Sequence, residues 1–430
     1  MKFTAAGDAI IQRRIQNDFV GFDELAPFIE QGDARFFNLE TTLNEEGECP
    51  GSQFSGGTYI RTTPRVLWDL EKFGFNMTSF NNNHALDFSY EGLYSTLEAL
   101  NETELVHAGV GHNLAEAAAP RYLETPNGRV ALIAVNTTFN EPMMAGRQTE
   151  RVPGRAGING LRVKGHMQVT KEELAFIRDI ADRSHINAAS DITRKEGYLP
   201  LLADGEAVLG TLSFREGPTT EYVTEIDKRD IERVKKAIFE AKLQADYIMI
   251  SVHSHQISGT EKESPSKFLV DFAHTCIDAG AHAVVGHGPH LLRPIEVYKG
   301  CPIFYSLGDF ILQLYNVEFG PADFFEKHGV DPNATMHELL ATRSRNFTCG
   351  LMTDPRMFLS VIPIWESEKD GTLKSLRLLP IMGAMEGNKS EIGLPRRIKP
   401  ERVVEYLGKM SAPYGVTLTA AADGLIDCKW

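Results

Sequence analysis

The chain has 430 residues, 42% of them hydrophobic and 24% charged, which is the make-up of a globular protein with room for one large domain or two to three ordinary ones. A formal net charge of −14 argues against non-specific nucleic-acid binding, which needs a basic footprint. No apolar run approaches the ~20 residues of a membrane span.

The opening, Met1-Lys2-Phe3-Thr4-Ala5-Ala6-Gly7-Asp8, has neither the apolar stretch nor the cleavage site of a signal peptide. Five cysteines (Cys49, Cys276, Cys301, Cys349 and Cys428) are odd in number, scattered, and without metal-finger or redox spacing. They read as reduced thiols, and the expected location is the cytoplasm.

In chain order, Lys2–Ala6 reads as a strand ending at Gly7-Asp8. Phe22, Leu25, Phe28 and Ile29 are spaced as on a helix. Ala34 to Leu39 reads as a second strand and ends at Glu40. A Gly/Ser-rich loop over 47–57 precedes a short strand at Tyr59-Ile60 and a helix over 65–73, with Pro64 at its start. The apolar run 74–80 stops at Asn81-Asn82-Asn83-His84-Ala85-Leu86-Asp87, and a helix follows over 90–100. A strand at 105–108, a short helix at 114–119 and a continuous apolar strand at 129–136 complete a strand–helix alternation. That alternation predicts a layered α/β fold.

Residues 137–165 break the pattern. The glycine-punctuated stretch 154–162 lacks the spacing and preceding strand of a dinucleotide fingerprint. A helix over 228–243, a strand over 246–252 ending in His253-Ser254-His255, and a helix over 265–279 resume it. The next strand, 281–285, runs into Gly286-His287-Gly288-Pro289-His290. A hairpin (295–298 with 301–306) leads to Ser306-Leu307-Gly308-Asp309-Phe310. Beyond 312 the chain reads as a helical stretch, two strands (357–365 and 373–380) and a helix over 401–410.

Five strand ends thus carry Asp8, Glu40, Asn83-His84, His253 and His287 with His290. Each has an ordinary alternative: Asp8 or Glu40 as a helix cap, the Asn-rich loop as a turn, a histidine as a solvated loop residue. Their recurrence at successive strand ends points instead to one shared site. Carboxylate, amide and imidazole together suit two divalent cations, Mn, Fe, Zn or Mg, which can activate a water without a protein nucleophile.

Gly7-Asp8, Asn38-Leu39-Glu40, Asn82-Asn83-His84-Ala85-Leu86-Asp87, Gly154-Arg155-Ala156-Gly157, Gly286-His287-Gly288-Pro289-His290 and Ser306-Leu307-Gly308-Asp309-Phe310 resemble the CapA-type family of poly-γ-glutamate capsule synthesis proteins, within the calcineurin-like metallophosphatase superfamily. The resemblance runs from about residue 2 to 312. It implies a four-layer α/β/β/α sandwich over 1–312, with an insertion at about 186–225. It leaves 313–430 as a C-terminal extension completing or packing on the second sheet.

By resemblance, Asp8 holds the first metal and takes part in catalysis, Glu40 bridges two metals, Asn83, His253 and His287 hold the second, and His290 returns to the first. His84 stabilises the transition state or protonates the leaving group. Arg13, Arg155, Asn159 and Arg162 are the expected grips on a substrate anion. The chain departs from the pattern in four places, one of them the two residues that separate His287 from His290 where the superfamily usually has one. Position 10 is Ile where the superfamily has a histidine ligand. Ser254-His255 replaces Trp-Gly, and Asp309 replaces Asn. His255 and Asp309 are placed on the substrate side of the site, His255 with a second option as a substitute ligand.

The resemblance implies a metal-dependent hydrolase that acts on a phosphoester or a γ-glutamyl/amide-type bond of an anionic small-molecule or polymer substrate. The alternative is a non-catalytic binding or assembly component for a poly-γ-glutamate-type polymer or its synthase. The oligomeric state is left open.

Overall fold

The apolar runs that alternate with helical segments along the chain are strands buried on both faces. The computed structural model describes residues 1–430. Its principal elements are β1 (Lys2–Ile10), α1 (Val20–Ile29), β2 (Ala34–Leu39), α2 (Val66–Lys72), β3 (Met77–Ser79), α3 (Ser89–Asn101), β4 (Val106–Ala108), β5 (Arg121–Thr125) and β6 (Gly128–Asn136). There follow β7 (Val163–Val169), α4 (Lys171–Ser184), α5 (Ala188–Lys195), β8 (Glu206–Leu209), β9 (Leu212–Glu216), β10 (Glu221–Ile226), α6 (Lys228–Lys242), β11 (Tyr247–His253), α7 (Lys267–Ala279) and β12 (Ala283–His287). The chain closes with β13 (Leu292–Tyr298), β14 (Cys301–Leu307), β15 (Asp309–Leu312), β16 (Leu359–Ser367), β17 (Leu373–Gly383), β18 (Pro395–Arg397), α8 (Glu401–Ser411), β19 (Thr417–Ala420) and β20 (Ile426–Lys429).

Two compact units form, one from residues 1–161 with 232–430 and one from residues 162–231. In the larger unit, a ten-stranded sheet runs β19-β20-β17-β16-β1-β2-β3-β4, with β15 beside β1 and β18 beside β17. A six-stranded sheet runs β13-β14-β12-β11-β6-β5. The two sheets face each other across one apolar cluster. Phe3, Phe36 and Met77 of the first sheet meet Leu132, Met249 and Val285 of the second there.

Side chains alternate across a strand, so neighbouring residues serve different layers. Phe36 lies between the sheets, whereas Phe37 and Leu39 pack outward against Phe22 and Leu25 of α1, Leu67 and Leu70 of α2, and Leu93 and Leu97 of α3. On the second sheet, Ile248 and Ile250 point away from the intersheet cluster and are also buried, as are the apolar faces of α6 (Val234, Ile238) and α7 (Phe268, Phe272). The result is a four-layer α/β/β/α sandwich. Phe3 stacks on the fully buried Trp365 at 5.1 Å, a burial worth roughly 1.5–3 kcal/mol for a side chain of this kind.

The segment after 312 supplies β16 to β20 to the sheet that contains β1, and Val403 and Leu407 of α8 join the intersheet cluster. The 162–231 unit is wider than the insertion expected at about 186–225. β7 pairs parallel with β9 and antiparallel with β10, which draws Val163–Val169 into a four-stranded sheet ordered β8-β9-β7-β10. Its core is small: Val169, Leu174, Ala207 and Phe214. Large apolar side chains of the same unit, Phe176, Ile192, Tyr198, Leu201, Leu212 and Tyr222 among them, are exposed. No helix of the chain is long and apolar enough to cross a membrane. All five cysteines are unpaired.

Candidate metal centre

Parallel strands align their carboxyl ends, and here those ends carry the polar residues. β1 pairs parallel with β2 and β2 with β3, which sets Asp8 opposite Asn38 and Asn38 opposite Ser79. On the other sheet β11 pairs parallel with β12 and places His253 opposite His287. A glycine at position 7 is obligatory, because a Cβ there would lie 1.7 Å from the Gly308 carbonyl oxygen. The tight crossing lets the Asp8 N–H donate to Gly308 O at 3.1 Å. Gly288, at φ +114°, brings its backbone to the His253 ring, where a Cβ would sit at 3.1 Å.

The side chains converge in three overlapping groups whose ligand atoms lie within 4.8 Å of one another: Asp8 with His253 and His287; Glu40 with His253 and His255; and Asp8 with Glu40, His290 and Asp309. Asp8 accepts from Asn38 Nδ2 and from the Gly288 N–H, both at 2.7 Å. His287 Nδ1 lies 3.4 Å from Asp8 Oδ1, and its Nε2 is 2.7 Å from Ser251 Oγ. His253 Nδ1 is 3.0 Å from His287 Nδ1, and His253 Nε2 is 3.0 Å from His255 Nε2.

Several buried oxygens in this region have no hydrogen-bond partner: both carboxylate oxygens of Glu40, Asn83 Oδ1 and Asp309 Oδ2. A buried acceptor left unpaired costs about 1–3 kcal/mol, more when charged. Oxygen donors without hydrogens beside clustered imidazoles are what hard and borderline divalent cations need, so the residues fit metal ions.

The electrostatics agree with that donor set. Burial, followed by the charges of Asp8 and Asp309, pushes the Glu40 carboxyl well above the usual range. Burial would raise Asp8 too, but its bonds and charges from His287, His290 and Gly288 hold it below its ordinary value. Burial and the neighbouring histidines push His253 and His255 well below theirs, which keeps the imidazoles neutral and free to ligate. Asp309 is pushed up to about 6 by burial, against the pull of His290.

The loop after β3 is pinned by its own amides. Asn81 Nδ2 donates to the carbonyls of Ala134 and Asn159, and Asn82 Nδ2 to Leu39 O at 2.7 Å. Asn83 Nδ2 donates to Gly56 O at 3.0 Å. His84 Nδ1 sits 2.7 Å from Asp87 Oδ2, while its Nε2 faces Glu40 Oε1 at 3.9 Å. Asp87 also accepts the backbone N–H groups of Gly56 and Ile60 at 3.0 Å. It therefore fixes the imidazole orientation instead of entering the cluster.

Asp8, Glu40, His253, His255, His287, His290 and Asp309 are thus brought together, with His84 on the Glu40 side. The four residues expected to grip an anion have the following surroundings. Arg13 is exposed, in a cavity of about 260 Å³ lined also by Arg14, Glu45, Glu46 and Arg61. Arg155 is exposed and donates through Nη2 to Met144 O at 3.0 Å. Asn159 is buried, donating to Ala134 O and accepting from Arg233 Nε. Arg162 makes a two-pronged pair with Asp230, at 2.9 and 2.7 Å. Asn159 and Arg162 both bond to the protein's own groups.

The sequence reasoning missed Asn38, Ser251 and Arg293. Fully buried Arg293 donates to the carbonyls of Ser254, His255 and Lys262 and so holds the His255 loop in place. Burial lowers its pKa to about 10. The signal was present: a lone arginine inside the apolar run Leu291-Leu292-Arg293-Pro294-Ile295.

The chain is similar to several known proteins. The family model described as bacterial capsule synthesis protein PGA_cap matches residues 2–314. The chain is 32% identical over 428 residues to the protein y4sH of Sinorhizobium fredii, covering 96% of this chain and 90% of that one. It is 22% identical over 319 residues to the capsule biosynthesis protein CapA of Bacillus anthracis, covering 72% of this chain and 59% of that protein. A solved 5'-nucleotidase precursor from Thermus thermophilus overlays with a TM-score of 0.37 at 9% identity, over 89% of this chain and 54% of that one. With the family pattern matched over most of its length, the chain belongs to the PGA_cap family of bacterial capsule synthesis proteins.

Proposed function

We propose that this protein is a metal-dependent hydrolase that works on an anionic substrate of capsule synthesis, cleaving a phosphoester or a γ-glutamyl/amide-type bond. The observation that carries the reading is the set of buried, unpartnered oxygens of Glu40, Asn83 and Asp309 at strand ends shared with His253, His287 and His290. Asp8 and His290 would hold one divalent cation and Asn83, His253 and His287 a second, with Glu40 between them; the candidate ions are Mn, Fe, Zn and Mg. Two such ions supply Lewis acidity to water and to the substrate's oxygen.

The chain's own residues do the rest. Asp87 accepts the Nδ1 proton of His84, which directs Nε2 toward Glu40 and the cluster. From there a protonated His84 gives its Nε2 proton to the leaving-group oxygen or nitrogen, and the Asp87 carboxylate stabilises the imidazolium. Asn38 and the Gly288 N–H aim Asp8, and His287, His290 and the Gly288 N–H hold its pKa below the ordinary value against burial. The intersheet apolar cluster beneath the strand ends keeps the site floor dry, which strengthens each of these interactions.

A second reading, an assembly component for an anionic capsule polymer or its synthase, draws on the exposed apolar side chains of the 162–231 unit. A test separates the two. Manganese-loaded protein is assayed against bis-p-nitrophenyl phosphate, p-nitrophenyl phosphate and a γ-glutamyl-p-nitroanilide, beside the His253→Ala variant. Turnover that chelator and His253→Ala both abolish supports the hydrolase. No turnover together with binding of poly-γ-glutamate supports the assembly role.

A further inference from the structure

The first cation position lacks a donor at residue 10. Ile10 is buried in an apolar cluster with Phe88, Leu291 and Leu312 and offers nothing to a metal. Asp8, Glu40 and His290 remain, and a fourth group approaches them from a strand far along the chain.

β15 pairs parallel with β1, and Asp309 is the register partner of Asp8. Asp309 is only 4% exposed. Its Oδ1 lies 3.0 Å from His290 Nδ1, and its Oδ2 is buried with no partner. Its ligand atom falls within 4.8 Å of those of Asp8, Glu40 and His290.

We propose that Asp309 is a direct ligand of the first cation, replacing the donor missing at position 10. It creates an oxygen-rich set of three carboxylates and one imidazole that prefers a Mn²⁺- or Mg²⁺-class ion. The second position, with Asn83, His253 and His287, is richer in nitrogen and suits a softer ion. The inference rests on the metal-hydrolase reading and adds to it the ligand and the ion preference of one half of the site.

A carboxylate that served only to orient His290 would need one oxygen, and nothing would favour burying the other unpaired. A third buried carboxylate beside Asp8 and Glu40 also adds like-charge repulsion, which a divalent cation reverses.

The test uses the full chain stripped with chelator, then titrated with Mn²⁺ by calorimetry, with bound metal counted by mass spectrometry and the spin state followed by electron paramagnetic resonance. The expected wild-type result is two Mn²⁺ per chain with an exchange-coupled spectrum. Asp309→Asn and Asp309→Ala should bind one Mn²⁺ and show an isolated six-line signal, the lost site weakened at least ~100-fold. His253→Ala should keep the Mn²⁺ that Asp309 holds. Two Mn²⁺ with a coupled spectrum in Asp309→Ala, at an affinity within ~10-fold of wild type, would assign Asp309 to orienting His290 and overturn the proposal. A wild-type chain that takes up no metal would instead overturn the hydrolase reading. Asp309→Asn preserves side-chain shape, and circular dichroism on both variants establishes that they are folded.

Discussion

The larger unit and the 162–231 unit break opposite folding rules. In the larger unit, strand ends bury carboxylates and amides whose oxygens go unpaired. In the 162–231 unit, α5 buries no residue at all, and Ile192, Tyr198, Leu201 and Tyr222 stay in solvent. Sequences are locally consistent with their folds except where function requires otherwise. The contrast underlies the two proposed readings: a larger unit whose buried donors would take divalent cations, and a second unit that presents apolar surface outward.

The strongest way to break this contrast is to remove a central ligand. Glu40→Ala or His253→Ala should lower metal affinity at least ~100-fold, read by calorimetry, and abolish turnover. Retained metal and turnover would mean that the buried polar atoms are merely structural. Next, His84→Gln should lower kcat by about 10²–10⁴-fold while leaving metal content unchanged, because its proposed part is proton delivery. A loss of metal in that variant would move His84 into the ligand set.

A smaller effect concerns pH. Burial raises Asp309 to about 6. A carboxyl whose folded pKa is raised contributes stability in full below its unfolded value near 4, and loses it as pH rises through about 6. In chelator-stripped protein, the unfolding free energy of wild type minus that of Asp309→Asn, read from denaturant titrations, should therefore fall between pH 4 and 7, by an amount on the order of 3 kcal/mol. Saturating Mn²⁺ should abolish the fall. A flat difference would mean that Asp309 does not feel its burial. The smallest effect belongs to the other region: Tyr198→Ser and Leu201→Ser should leave metal content, kcat and stability (within about 0.5 kcal/mol) unchanged, while weakening any partner that docks there.

Much of the larger unit is legible in the sequence, because parallel strands buried on both faces read as apolar runs with polar stops. Gly128–Asn136 and Tyr247–His253 are the plainest cases. The converging ends of such strands are what gathered Asp8, Glu40, His253 and His287. The neighbours of Arg162 and Asn159 were not legible, because a charged or amide side chain looks the same in sequence whatever it meets, here Asp230 and Ala134. The bounds of the 162–231 unit stayed hidden because Val163–Val169 mixes polar and apolar residues, and only its long-range pairing makes it a strand. Asp309 was legible as an extra carboxylate, but its position beside Asp8 depends on strand register.

The tight crossing of Gly7 and Gly308 has a consequence in time. Asp8 lies on β1, yet its partner Gly288 comes 280 residues later, and nearby Gln12 is held by Gln313, 301 residues on. At roughly 5–20 residues per second, a ribosome delivers that far side on the order of 15–60 s after Asp8 has emerged. Through that interval β1 has β2 beside it on one side and an unpaired edge on the other, open to wrong pairing. His253, His287 and His290 are likewise made long after β1. On the metal-hydrolase reading, the first cation position would be complete only once Asp309 has been made, so metal capture would come late in synthesis.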